Sequence, residues 1–162
     1  MNSFNNRHSE IRSLLNPAFC GILLYNSICA YEKENSNGIP FSVILLVLPF
    51  CLHKETREII LKKNRSNLFK IIEDNSHILI NFADRTTNYL PFTFEGLGLI
   101  MKLNMFKITD NGFLVTHNKK AKINKQYSDE TKKCIKSAVI IGKLFGKISD
   151  NETIYRTLGV RP

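Results

Sequence analysis

The sequence predicts a mainly α-helical chain with one small β-hairpin: a winged helix-turn-helix-like helical domain followed by a C-terminal helix. Three observations predict it. Apolar residues recur at helical spacing in several segments. Two short β-prone runs, Phe106-Lys107-Ile108-Thr109 and Phe113-Leu114-Val115-Thr116, flank Asp110-Asn111-Gly112. Asn-Gly between such runs is the strongest short-range hairpin signal, and helices followed by a hairpin are the order of a winged helix. A long, capped amphipathic pattern then begins at Ser128. A length of 162 residues favours one domain. Its expected parts are a winged-helix-like core over 9–117, a Lys-rich connector over 118–127, and a C-terminal helix with a docked tail over 128–162.

In chain order, residues 1–8 read as frayed, and Ser9 to Leu15 as a short helix. Asn16 before Pro17 is an N-cap followed by proline at the first helical position, so Pro17 to Lys33 is predicted as helix. Glu34-Asn35-Ser36-Asn37-Gly38 is a turn cluster. From Pro40 to Leu52 there is no charged residue. The run is too short for a membrane span and Pro49 interrupts it, so it is expected to be buried in protein. Within it, Ser42 to Leu48 suits strand or helix. It reads as helix because no neighbouring segment offers an alternating partner strand. Helical turns follow over Thr56 to Lys62, Asn67 to Asp74 and His77 to Thr87. Pro91 opens another helix, Phe92 to Asn104, in which Gly96 and Gly98 weaken the propensity but permit close approach of a neighbour. After the hairpin, Ser128 caps the long helix, with Asp129 and Glu130 where the macrodipole favours acids. Gly142 and Gly146 share one face, a sign of tight packing, and Ser149 is expected to cap a last turn over Glu152 to Leu158.

The formal charge is +9, from 23 basic and 14 acidic residues. Residues 107–147 hold ten Lys and no Arg against Asp110, Asp129 and Glu130. Such a stripe can bind nucleic acid. Lysine makes poorer bidentate contacts to bases than arginine, so a solvated face or an acidic protein partner is the competing use. The chain opens without the apolar run of a signal peptide, and a cytoplasmic protein away from membranes is expected.

The chemistry-bearing residues do not assemble into a reaction motif. Cys20, Cys29, Cys51 and Cys134 lack C-x-x-C spacing and sit in apolar contexts, as reduced core thiols do. His8, His53, His77 and His117 have no acid or cysteine at ligand spacing and read as surface or capping histidines. Cys51 and His53, at i and i+2, point apart on a helix. Glu95-Gly96-Leu97-Gly98 is not a phosphate loop. Neither a cofactor nor a metal is expected. Arg57, Arg85 and Arg161 each stand beside an apolar segment. Such a guanidinium binds helix C-terminal carbonyls or a carboxylate, or anchors an interface.

Four local patterns remain: Asn16-Pro17-Ala18-Phe19-Cys20; Leu48-Pro49-Phe50-Cys51-Leu52-His53-Lys54 with Thr56-Arg57-Glu58; the helix and hairpin over Phe92 to Thr116; and Thr153-Ile154-Tyr155 with Leu158-Gly159-Val160-Arg161-Pro162. Together, in this order, they resemble the middle component of bacterial three-component ABC systems. The resemblance implies a non-catalytic protein encoded beside an ABC ATPase of the SMC and Rad50 type and an effector, acting against phages and other invaders. A tail holding Tyr155, Leu158, Val160 and Arg161 is more useful docked than loose, so the C-terminal turn is expected to pack against the Asn16 helix and the Pro49 segment; the adaptor's expected partner-binding residues are Asn16, Phe19, His53, Lys54, Arg57, Tyr155, Leu158, Val160, Arg161 and Pro162. The alternative reading is a winged-helix DNA binder or transcriptional regulator, with Lys107, Lys119, Lys120 and Lys122 on phosphates.

Overall fold

The computed structural model describes residues 15–117 and 126–161. They form helices α1 (Pro17–Glu34), α2 (Phe41–Ile44), α3 (Val47–Cys51), α4 (Lys54–Lys62), α5 (Leu68–Asp74), α6 (Phe82–Lys102), α7 (Asp129–Gly146) and α8 (Asn151–Leu158). Three short strands, β1 (Ile39–Pro40), β2 (Phe106–Ile108) and β3 (Phe113–Thr116), make an antiparallel sheet in the order β1-β3-β2. The chain is therefore mainly helical, with one small sheet. The expected helix over Ser9 to Leu15 and most of the Lys-rich connector lie outside the described residues.

Helix α1 is the centre. Asn16 caps it by accepting from the Phe19 amide at 2.8 Å, and Pro17 fills the first turn, where no N–H is needed. From Cys20 to Glu32 every residue but Ile22 is buried. A helix apolar on all sides has to be enclosed by neighbours, and α6 and α7 enclose it at glycines. A Cβ on Gly96 would lie 3.0 Å from the Gly21 nitrogen of α1. One on Gly142 would lie 2.3 Å from the Ser27 carbonyl oxygen, and one on Gly146 2.9 Å from that of Tyr31. Gly142 and Gly146 thus act as the sequence suggested. Gly96 does so too, whereas the space around Gly98 is open.

The apolar run Ile39 to Leu52 is the second buried layer. Ile44, Leu46, Val47, Leu48, Phe50 and Cys51 are all fully covered, and Phe50 packs against Phe82 of α6 and Phe145 of α7. It is not one helix. A turn at Leu45-Leu46, closed by Leu46 N–H on the Val43 carbonyl at 3.1 Å, divides it into α2 and α3. Restarting at Val47 puts Pro49 within a first turn, where its missing N–H costs nothing. Ile39 and Pro40 pair with Leu114 and Phe113, a partner strand too short for alternation to reveal. Proline is tolerated there because β1 is an edge strand.

Two further boundaries differ from the sequence reading. The break expected at Pro91 falls instead at Asn81, which adopts φ 56° after a 3-10 turn over Ser76–Leu79. Arg85 fastens that turn, donating to the carbonyls of Ile80 at 2.8 Å and Ile78 at 2.6 Å. Helix α6 then continues through Pro91, since Phe82, Thr93, Gly96, Leu97 and Ile100 form one buried stripe across it. Pro91 is exposed, as is Thr87, whose carbonyl the proline deprives of a donor, so water can satisfy it. At the C-terminus Asp150, not Ser149, caps the last helix, accepting from Glu152 and Thr153 at 3.1 and 3.0 Å. Gly159, at φ 66°, ends it, and Val160 N–H bonds the Tyr155 carbonyl at 3.2 Å.

The sheet is tied to α1 by a buried acid. Glu32 accepts from the Thr116 amide at 2.9 Å and from its hydroxyl. The Thr109–Gly112 turn closes the hairpin as predicted, with Thr109 N–H on the Phe113 carbonyl at 2.8 Å. Among the described residues no helix is long and apolar enough to cross a membrane.

Two outcomes follow from this packing. Gly142→Ala places a methyl against rigid backbone at Ser27. It should destabilise by about 1–3 kcal/mol in urea unfolding, while Gly98→Ala should be neutral or stabilise by up to about 1 kcal/mol. The second concerns His53, which caps α4 as a neutral acceptor. Its Nδ1 receives the Thr56 amide at 3.4 Å and lies 2.8 Å from the Thr56 hydroxyl. Burial first, then the charges of Arg85 and Arg57, lower its pKa from 6.5, against an opposing pull from Glu55. The unfolded chain therefore binds this proton more readily. The stability His53 confers is complete above pH 6.5 and declines as pH falls below it. In His53→Asn, which caps without titrating, urea midpoints measured from pH 7.5 to about 5 should fall less than in the parent.

Candidate partner interface

Arg57 is a buried cation with a full set of tasks. One guanidinium nitrogen donates to the carbonyls of Cys51 at 3.0 Å and Leu52 at 3.3 Å, which end α3; another pairs with Glu130 in the first turn of α7. The arginine thus satisfies orphan carbonyls and joins α4 to α7. Its Nε remains buried without a partner. Beside it Leu15, Phe19, Leu52, Tyr89, Glu130, Thr131 and Cys134 enclose a hollow of about 230 Å³. Its surface is mainly apolar, with the Arg57–Glu130 pair on its wall.

Among the expected interface residues, Phe19 and Arg57 therefore meet in one hollow. Asn16 is exposed at the α1 cap, Lys54 is exposed, and His53 is spent on capping α4. The tail lies at a second place. The Tyr155 hydroxyl donates to the Ser42 carbonyl at 2.6 Å, and Leu158 is buried. Ser42, Asn151, Glu152, Tyr155, Arg156, Val160 and Arg161 border a hollow of about 330 Å³ that shares no residue with the first. The observed anchor is thus Ser42, at the opening of the apolar run, whereas the sequence reading put the tail on the Asn16 helix and Pro49. Arg161 is exposed. Pro162, like Lys119, Lys120 and Lys122, lies outside the described residues, and Lys107 is exposed on β2.

A third surface was not legible as such. Phe94, counted inward in the sequence pattern, is 49% exposed and stacks on Phe41 of α2 with centroids 6.3 Å apart. Met101, two turns further along α6, is also exposed, and Gly98 between them leaves the helix backbone uncovered. The i, i+4, i+7 spacing of Phe94, Gly98 and Met101 carried the signal. It was masked because Leu97 and Ile100, one step away, are buried.

The cysteines are held as core thiols. Burial raises all four thiols: Cys20 to about 12, with Glu95 adding to it, and Cys51, the most deeply buried, well above its ordinary value. A thiol so shifted carries almost no thiolate at neutral pH. Cys51 donates to the Val47 carbonyl while His53 engages Thr56, so the two do not form a pair. Among the described residues no cluster of His, Cys, Asp or Glu could hold a metal ion.

Known proteins were compared with the chain. A family model described as ABC-three component (ABC-3C) system Middle Component 3 matches residues 4–162. No curated protein and no solved structure gives a match. The family match takes in the capped start of α1, the Pro49–Arg57 junction, the hairpin and the tail, which are the patterns that carried the resemblance. The chain belongs to the Middle Component 3 family of ABC-three component systems.

Proposed function

We propose that this chain is a non-catalytic adaptor of an anti-phage or anti-invader system, joining an SMC/Rad50-like ABC ATPase to an effector from the same operon. Family membership carries the reading. Its contact points would be the Phe19–Arg57 hollow, the exposed end of the tail at Val160 and Arg161, and the Phe41–Phe94–Met101 face. Each offers what an interface core uses, an aromatic or arginine anchor beside apolar surface. The occupant proposed for the α6 face is an apolar helix surface of another component. Gly98 would let the two helices approach closely.

The alternative, a winged-helix DNA binder, has the strand order β1-β3-β2 and the helices before the hairpin in its favour. Its weakness lies in α6, the helix that would enter the groove. Asp84, Glu95 and Lys102 stand exposed there beside Phe94 and Met101, a mixed and partly apolar surface without the excess of cations that a phosphate backbone calls for. The adaptor reading suits that surface better.

The test is co-purification. A tagged chain, co-expressed with the ATPase and effector genes beside it, should retain at least one of them on size exclusion. Phe94→Asp, at an exposed position, should keep the parental circular dichroism melt and lower the retained partner at least tenfold. A folded parental chain that elutes alone with both neighbours present would refute the adaptor.

A further inference from the structure

The outer face of α7 carries a charge arrangement that neither core packing nor adaptor contacts use. Lys136, Lys143 and Lys147, with Asn64 from the α4–α5 loop, border a hollow of about 260 Å³ floored by Val139, Ile140 and Leu144. No carboxylate lines it. Among the described residues none of the three lysines forms an ion pair with an acid, while Lys132 and Lys133 on the preceding turn lean on Asp129 and Glu130. Lys133 stands three residues before Lys136, and Lys143 and Lys147 follow at i+7 and i+11, so the lysines form one stripe. Across from α7 the lining residue is Asn64, next to Lys63, which is engaged by Asp74 at 2.7 Å. The hollow is thus a cleft whose basic wall is α7.

The helix macrodipole accounts for Lys143 and Lys147, which lie in the last turns of α7 where cations are favoured. It does not account for Lys136 in mid-helix, and the three lysines share the cleft with no carboxylate in its lining. Like charges so placed repel one another, and a bound anion relieves that repulsion.

We propose that this cleft binds the phosphate backbone of duplex DNA without regard to sequence. Three properties support that ligand. The lining has lysines and no acid, and ammonium groups hold phosphate oxygens as point charges without reading a base sequence. It has no aromatic side chain on which unpaired bases could stack, which disfavours a single strand. The stripe from Lys136 to Lys147 extends about 16 Å along the helix axis, long enough to meet more than one phosphate of a strand, whose charges rise ~3.4 Å each along the duplex axis. The site is distinct from the hairpin and from Lys107, where the winged-helix reading put the nucleic acid.

The experiment measures fluorescence anisotropy of a labelled 20-base-pair duplex with the full chain between 25 and 200 mM salt. The triple variant Lys136→Glu, Lys143→Glu, Lys147→Glu is compared with a control of equal charge change at exposed lysines away from the cleft, Lys70→Glu, Lys102→Glu, Lys107→Glu. Thermal melts establish that both fold. The cleft triple should weaken binding at least tenfold and reduce the salt slope by about 2–3, the release expected from three phosphate contacts. The control should do less than half of either. Equal losses from the two triples would overturn the proposal, because net charge alone would then explain binding. So would absence of parental binding at 25 mM salt. So would a cleft triple that loses poly-L-glutamate and keeps the duplex, which would mark an acidic protein as the occupant.

Discussion

At Ser27 the backbone of α1 lies against that of α7 so closely that a single methyl on Gly142 would overlap a carbonyl oxygen. Gly21 and Gly96 bring α6 almost as close on another side. Close approach gains dispersion contact along both helices and excludes water from most of α1, at the cost of helix propensity at each glycine, roughly 1 kcal/mol apiece. The remaining elements depend on that arrangement. The run Ile39 to Leu52 fills the space beside the three helices, with Phe50 edge-on to Phe145 and tilted against Phe82. The sheet hangs from the end of α1.

Polar groups then fix what packing leaves free. An apolar interface tolerates sliding, whereas a buried hydrogen bond does not, because a displaced donor or acceptor goes unpaired. Glu32 sets where β3 meets α1, Arg57 sets where α3 and α4 meet α7, and Arg85 sets the entry to α6. Removing one member of such a pair typically costs about 3–5 kcal/mol when the remaining charge is buried. Asn26 and Ser27 are less completely served, each with a buried oxygen lacking a partner. Ser27 sits at the tightest crossing, where a larger side chain would have no room.

Much of this was legible in the sequence, and the reasons are local. Asn16-Pro17, Asn67, Ser128 and the Asn-Gly turn encode their structure within a few residues, so α1, α5, α7 and the hairpin stand where capping and turn chemistry put them. The failures came where distant partners decide. Pro91 reads as a boundary by propensity, yet a buried stripe running through it outweighs one missing hydrogen bond. A two-residue strand such as Ile39-Pro40 has no period of its own and exists only through β3. Phe19 and Arg57, far apart in sequence, line one hollow, a meeting that only the fold reveals. That the tail reaches Ser42 depends on how α8 folds back, which no spacing encodes. The outward turn of Phe94 was hidden by buried neighbours on the same helix.

The enclosure of α1 also has a bearing on how the chain is made. This helix is made well before the α7 that shields one of its sides. Until then its leucines, isoleucines and tyrosines lack part of their native cover, and the contacts that complete it join segments about a hundred residues apart. Topologies of this kind fold slowly and expose sticky intermediates. A newborn copy would therefore keep an adhesive face until α7 arrives.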